Sequence, residues 1–107
     1  MTTVISSMTD TMNFISLIRP KRRDFLTTMT PAEQATMVQH ADYVKDMIAQ
    51  GQIFLDGGAP DGTIGVLIYR VFSAIEARRL FYSDPAVIAG IGYPELYPLT
   101  IGHLAPS

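Results

Sequence analysis

Apolar runs separated by turn chemistry divide the chain into six regular segments. Met12 to Ile18 (MNFISLI) is apolar apart from Asn13 and Ser16 and is stopped by Arg19-Pro20, which predicts a strand with apolar residues on both faces. Lys21 to Met29 reads as a polar connection. Thr30-Pro31-Ala32-Glu33 then joins a capping box to a proline at the first helical position, predicting a helix from Pro31 to Gln50 that Gly51 ends in the left-handed conformation. Its apolar stripe is Met37, Ala41, Val44 and Ile48, and His40 falls roughly 60° from the centre of that stripe, at its margin.

The second half repeats the order. Ile53 to Gly58 (IFLDGG) predicts a strand, Ala59-Pro60-Asp61-Gly62 is turn chemistry, and Ile64 to Val71 (IGVLIYRV) predicts a third strand in a hairpin with the second. Ser73-Ala74-Ile75-Glu76 is another capping box, opening a helix to about Ser83 with Ala77, Leu80 and Phe81 inward. Pro85 to Ala89 is expected to add one turn ended by Gly90. Tyr93 to Leu96 reads as a connection. Tyr97 to Leu104 (YPLTIGHL) predicts a last strand at a sheet edge, because Pro98 cannot donate to a ladder.

The order βαββαβ points to an α+β, ferredoxin-like fold, two helices on one face of a four-stranded antiparallel sheet. Two helices cover only one face, yet the first and third strands are apolar nearly throughout. A homodimer packed sheet against sheet, with higher assembly left open, would bury the other face. Composition agrees: 48% of the 107 residues are hydrophobic and 17% charged, which leaves apolar surface over. Residues 1–11 are expected to form a frayed polar extension, lacking the basic start and apolar centre of a secretory signal, ahead of one domain over 12–107.

Charge and cysteine content narrow the chemistry. With no cysteine there is no disulfide framework, thiolate nucleophile or cysteine-ligated zinc, and a cytoplasmic location fits best. A net charge of −2 gives no general attraction to nucleic acid or membrane, and no run is long enough to span a bilayer. Arg19, Lys21, Arg22 and Arg23 form the one basic cluster. RNA binding through the sheet is disfavoured because the basic and aromatic face it requires is missing. Two widely separated histidines and no cysteine make a His/Cys metal cluster unexpected, with a carboxylate-rich site left open, and no phosphate-cradling glycine loop or other cofactor motif is present.

The candidate chemistry centres on Phe81-Tyr82-Ser83-Asp84-Pro85-Ala86-Val87-Ile88-Ala89-Gly90. Pro85 biases Asp84 away from the helical region and presents its carboxylate at a reproducible corner, within reach of His40 if the helices pack side by side. A carboxylate on imidazole Nδ1 fixes the tautomer and leaves Nε2 to take or return a proton near neutral pH. Each residue also has a purely structural explanation: aspartate before proline is a good helix N-cap, and a histidine beside an apolar stripe is commonly a packed one. If Asp84 does both jobs, one oxygen is expected to cap and the other to orient the ring. Arg19, at the end of the first strand, could hold a substrate carboxylate or phenolate, and Tyr43 could reach the same cleft. His103 has no visible partner.

Three of these pieces together resemble the YCII-related (YciI-like) family, over Met12 to about Leu104: Met37-Val38-Gln39-His40-Ala41-Asp42-Tyr43, the Gly-Pro-like turn Gly57-Gly58-Ala59-Pro60, and Asp84-Pro85-Ala86-Val87-Ile88-Ala89-Gly90. The resemblance implies a ferredoxin-like dimer of the dimeric α/β-barrel type with His40 and Asp84 as the catalytic pair. It also implies acid–base chemistry on a small aromatic or lactone-like molecule, as in a dehydrochlorinase acting on a chlorinated hydroxyquinol or the related muconolactone isomerase-like enzymes. A non-catalytic ligand-binding or accessory domain on the same fold is the alternative. The chain departs from the family pattern in Ala59, inserted between Gly58 and Pro60, and in its N-terminal segment.

Overall fold

β1 (Met12–Pro20) is an inner strand of a four-stranded sheet whose order is β2-β3-β1-β4, with every neighbouring pair antiparallel. The other strands are β2 (Ile53–Gly58), β3 (Gly65–Val71) and β4 (Gly92–Leu99), and the helices are α1 (Phe25–Thr28), α2 (Pro31–Ala49), α3 (Ala74–Ser83) and α4 (Pro85–Ile88). The computed structural model describes residues 10–106, so the expected polar extension lies almost wholly outside the described residues. This α+β arrangement is compatible with a ferredoxin-like fold.

The alternation of β1 decides which side is the core. Phe14 and Ser16 are buried and face the helices, in register with Tyr69 and Leu67 of β3. Those strand residues, with Val71 and Ile53, pack against Val44 of α2 and Ala77, Leu80 and Phe81 of α3. Fully burying each large apolar side chain contributes roughly 1.5–3 kcal/mol, which is ample reason for both long helices to lie on this one face. The opposite face carries Ile15 and Ile68, paired directly across the ladder and half-buried, together with exposed Tyr93 and Tyr97.

Both signalled helices start where expected, but only the first closes its capping box. Thr30 Oγ1 accepts from Glu33 N at 3.1 Å and the Glu33 carboxylate accepts from Thr30 N at 2.9 Å, a complete capping box. At α3, Ser73 accepts from Glu76 N, but the Glu76 carboxylate reaches one residue further back, to Phe72 N at 2.9 Å. The hairpin turn is closed by Gly62 N donating to Ala59 O at 2.9 Å, with Gly62 at φ 77° and Asp61 accepting from both the amide and hydroxyl of Thr63.

Three expectations are corrected. Lys21 to Met29 is not wholly irregular, since α1 buries Phe25 against Ala86 and Ile91 in a second apolar cluster. The last strand runs from Gly92 to Leu99 and not from Tyr97 to Leu104. It is an edge strand, and Pro94 and Pro98, an even number of residues apart, turn their nitrogens the same way, so one free edge accommodates both. Finally, α2 is rotated. Ile48 is 46% exposed while Met37, His40 and Met47 turn inward beside buried Val44, a shift of roughly 50° on the helical wheel that brings His40 off the margin.

Candidate functional site

α2 lies along α4 and β2, and that packing fixes the site. α3 ends at Ser83 and α4 begins at Pro85, so Asp84 alone separates two helices, with extended backbone at φ −67° and ψ 124°. Proline at the first position of α4 imposes this conformation on the residue before it. Asp84 is 3% exposed, and its Oδ1 accepts from Ala86 N at 2.9 Å, capping α4. The same oxygen meets His40 Nδ1 at 2.7 Å. Capping and ring orientation therefore share Oδ1, where one oxygen apiece was expected, so the carboxylate is locked by the helix it starts before it touches the imidazole.

With Nδ1 held by Asp84, the neutral ring carries its proton there and leaves Nε2 as the basic nitrogen, without a hydrogen-bond partner among the described residues. About 20% of the His40 side chain is exposed. Burial is the largest single influence on the ring and pushes its pKa down, but the hydrogen bond to Asp84, the charge of Asp84 and then that of Asp56 push it up, and together they prevail. His40 is thus held above the ordinary histidine value, and its imidazolium is favoured.

His40 and Asp84 open onto a cavity of about 320 Å³ between the sheet, α1, α2 and α4. Its walls are chiefly apolar, with Phe25, Leu26, Met37 and Ile91 among them, and the strand end Gly57-Gly58 forms a side-chain-free wall. A cavity of this size suits a compact molecule, and few polar groups converge on it, as is usual for small-ligand sites. Behind the pair, Tyr69 is fully buried; burial first, opposed by the nearby Ser16 hydroxyl and reinforced by the Asp84 charge, raises its phenol well above the ordinary tyrosine value.

The other expected site residues are placed elsewhere. Arg19 points away from the cavity and pairs with Glu95 of β4. Tyr43 donates its hydroxyl to Leu80 O at 2.7 Å, tying α2 to α3, and does not line the cavity. Neither is positioned to bind a substrate carboxylate there, because each side chain is committed to another element. Of the basic cluster, Arg22 grips both oxygens of Glu33 at 3.1 and 2.8 Å and the Thr28 carbonyl at 3.0 Å, which anchors α1 to the start of α2. His103 lies on the exposed C-terminal stretch.

Two features of the site escaped the sequence. One is the α1 wall, Phe25 and Leu26, in a helix of four residues that leaves no periodic signal. The other is Asp56, which lines the cavity with His40. Among the described residues no group of three or more histidine, aspartate or glutamate side chains is arranged to hold a metal ion, and no helix is long and apolar enough to cross a membrane. Compared with known proteins, the chain matches no family model and no curated protein.

Proposed function

We propose that this protein is a small acid–base enzyme of the YCII-related type, in which His40 takes and returns a proton and Asp84 holds and charges it. The observation that carries the reading is the 2.7 Å contact between His40 Nδ1 and Asp84 Oδ1 at the wall of an apolar cavity. In the neutral ring Nε2 is the base: it removes a proton from a carbon next to a carbonyl or a halogenated centre, and the resulting imidazolium is stabilised by the charge of Asp84. The same proton is then returned to substrate or leaving group. Positioned transfer of this kind contributes about 10² to 10⁴ in rate, which suffices for isomerisation, elimination or hydrolysis of an activated aromatic or lactone-like molecule.

The assembly proposed with it is a homodimer of the dimeric α/β-barrel type, formed through the sheet face opposite the helices. Support comes from Ile15 and Ile68, an apolar pair at the middle of that face, and from the aromatic edge formed by Tyr93 and Tyr97.

The enzymatic test is direct. A chlorinated hydroxyquinol and muconolactone are incubated in D₂O and followed by proton NMR for chloride elimination, isomerisation or deuterium incorporation. Wild type should accelerate at least one of these, and His40→Asn should return it to background while keeping the native circular dichroism spectrum. Binding to the wild type without turnover of either compound would replace the enzyme by a ligand-binding accessory domain.

A further inference from the structure

Among the described residues, the cavity holds one ionisable side chain that the proposed chemistry leaves unused. In a regular strand Ile53, Leu55 and Gly57 share a face, and Asp56 would point with Phe54 to the other side of the sheet. The β2–β3 ladder breaks that alternation. Ile53 lies opposite Tyr69, and Asp56, three residues on, lies opposite Leu67; Tyr69 and Leu67 both face the helices. A bulge between Ile53 and Leu55 absorbs the extra residue. Bulges re-aim side chains in this way, and here the effect is to turn Asp56 from the outer face into the wall that carries His40. Phe54 takes the opposite course, its ring 4.4 Å from the guanidinium of Arg70, an exposed residue between inward-facing Tyr69 and Val71.

The charges around the cavity have a consistent sign. No lysine or arginine is among the described residues that line it, so the imidazolium of His40 stands alone against the carboxylates of Asp84 and Asp56. Asp84 is sequestered at 3% exposure and spends its Oδ1 on His40 and Ala86. Asp56 is exposed in the second half of β2 and has no side-chain hydrogen bond among the described residues. It therefore has acceptor capacity free for a ligand.

We propose that Asp56 contacts the ligand directly, accepting a hydrogen bond from a hydroxyl or amine, and so selects neutral and cationic molecules against carboxylates. The inference rests on the reading of the cavity as the ligand site and narrows it: a hydroxylated aromatic fits, whereas a lactone bearing a free carboxylate is repelled.

Three probes of nearly one shape and different charge test it: benzylamine, benzyl alcohol and benzoate, titrated at neutral pH and followed through the backbone amide signals of Ala41, Gly57, Gly58 and Val87. Benzylamine should bind most tightly and benzoate least. In Asp56→Asn the ratio of their Kd values should shrink by roughly two- to fivefold, the worth of one partly exposed charge pair, and in Asp56→Lys the preference should turn toward benzoate. Retained amide dispersion shows that both variants fold. Benzoate binding wild type as tightly as benzylamine, a ratio unchanged in both variants, or no cavity signal moved by any probe overturns the proposal. Only the last outcome also removes the cavity as a ligand site. Conversely, unchanged turnover in His40→Asn would sink the acid–base reading and leave the selectivity of Asp56 standing.

Discussion

Replacing Asp84 by asparagine separates the structural work of this side chain from its electrostatic work. Asparagine caps a helix about as well as aspartate, so the bond from Ala86 N should survive, as should an acceptor for the Nδ1 hydrogen of His40. What disappears is the charge. A hydrogen bond to a charged group is worth about 1.5–3 kcal/mol net against about 1 for a neutral one, so the loss is about 0.5–2 kcal/mol where the ring is protonated. The pH dependence is the sharper reading. In the wild type the folded His40 pKa is raised, so the pair's contribution is complete below the unfolded histidine value of about 6.5 and is lost as pH rises through the folded value. Without the Asp84 charge, burial, the largest influence on the ring, is opposed mainly by Asp56, the smallest, so the folded pKa drops below the unfolded one. The destabilisation by Asp84→Asn should therefore be largest on the acid side of the unfolded histidine value of about 6.5 and fade as pH rises through the raised folded value of His40. Urea unfolding of both proteins across that range measures it, with the His40 ring signal titrated by NMR. Asp84→Ala, which also loses the cap, should cost about 1 kcal/mol more at every pH. A difference between wild type and Asp84→Asn that does not vary with pH would show that the carboxylate does not act on the imidazolium, and the dyad would lose its electrostatic basis.

The Arg22–Glu33 clasp and the outer sheet face give two further tests. Glu33 is held down to about 2, first by the hydrogen bonds from Arg22 and then by the Thr30 amide, so its stabilising contribution is present above the ordinary glutamate range and is lost as pH falls from about 4.5 toward 2. Arg22→Met should reduce that part of the acid transition in urea or thermal unfolding, leaving only the share due to the Thr30 cap, and an unchanged acid limb would show that the clasp contributes nothing. Ile68→Lys, in the middle of the outer face, should convert a dimer to a folded monomer in sedimentation equilibrium, since a lysine between two sheets leaves an unpaired buried charge. A wild type that is monomeric at tens of micromolar, or a variant that still dimerises, would refute sheet-to-sheet assembly.

Where local chemistry is decisive, the sequence was readable. Thr30-Pro31 with Glu33 placed the start of α2 to the residue, because proline and a reciprocal cap leave few alternatives. Asp84-Pro85 was readable for the same reason, and its partner His40 followed from there. The failures share a cause, in that each depends on a neighbour distant in the chain. The inward face of α2 is set by α4 and β2, so an apolar stripe that includes Ile48 pointed slightly astray. The register of β4 is set by β1, whose Arg19 takes Glu95, and two prolines disguised the strand. Asp56 was hidden most deeply, since simple alternation along IFLDGG assigns it to the wrong face and only the pairing with β3 exposes the bulge.

The division of labour between the two aspartates follows from how each is held. Asp84 is buried at a junction between two helices, where backbone conformation, a cap and the imidazole all constrain one oxygen, and such a group cannot move to follow a ligand. Rigidity is what an orienting partner requires, because proton transfer at Nε2 demands that the ring plane be fixed before the substrate arrives. Asp56 stands exposed on an edge strand, aimed by a bulge and free of side-chain bonds among the described residues, so it can adjust to what enters. The two carboxylates also act on His40 in the same direction, and this couples recognition to chemistry. A ligand amine that neutralises Asp56 removes one of the charges holding the imidazolium, so binding should lower the His40 pKa and enlarge the fraction of free base when proton abstraction is needed.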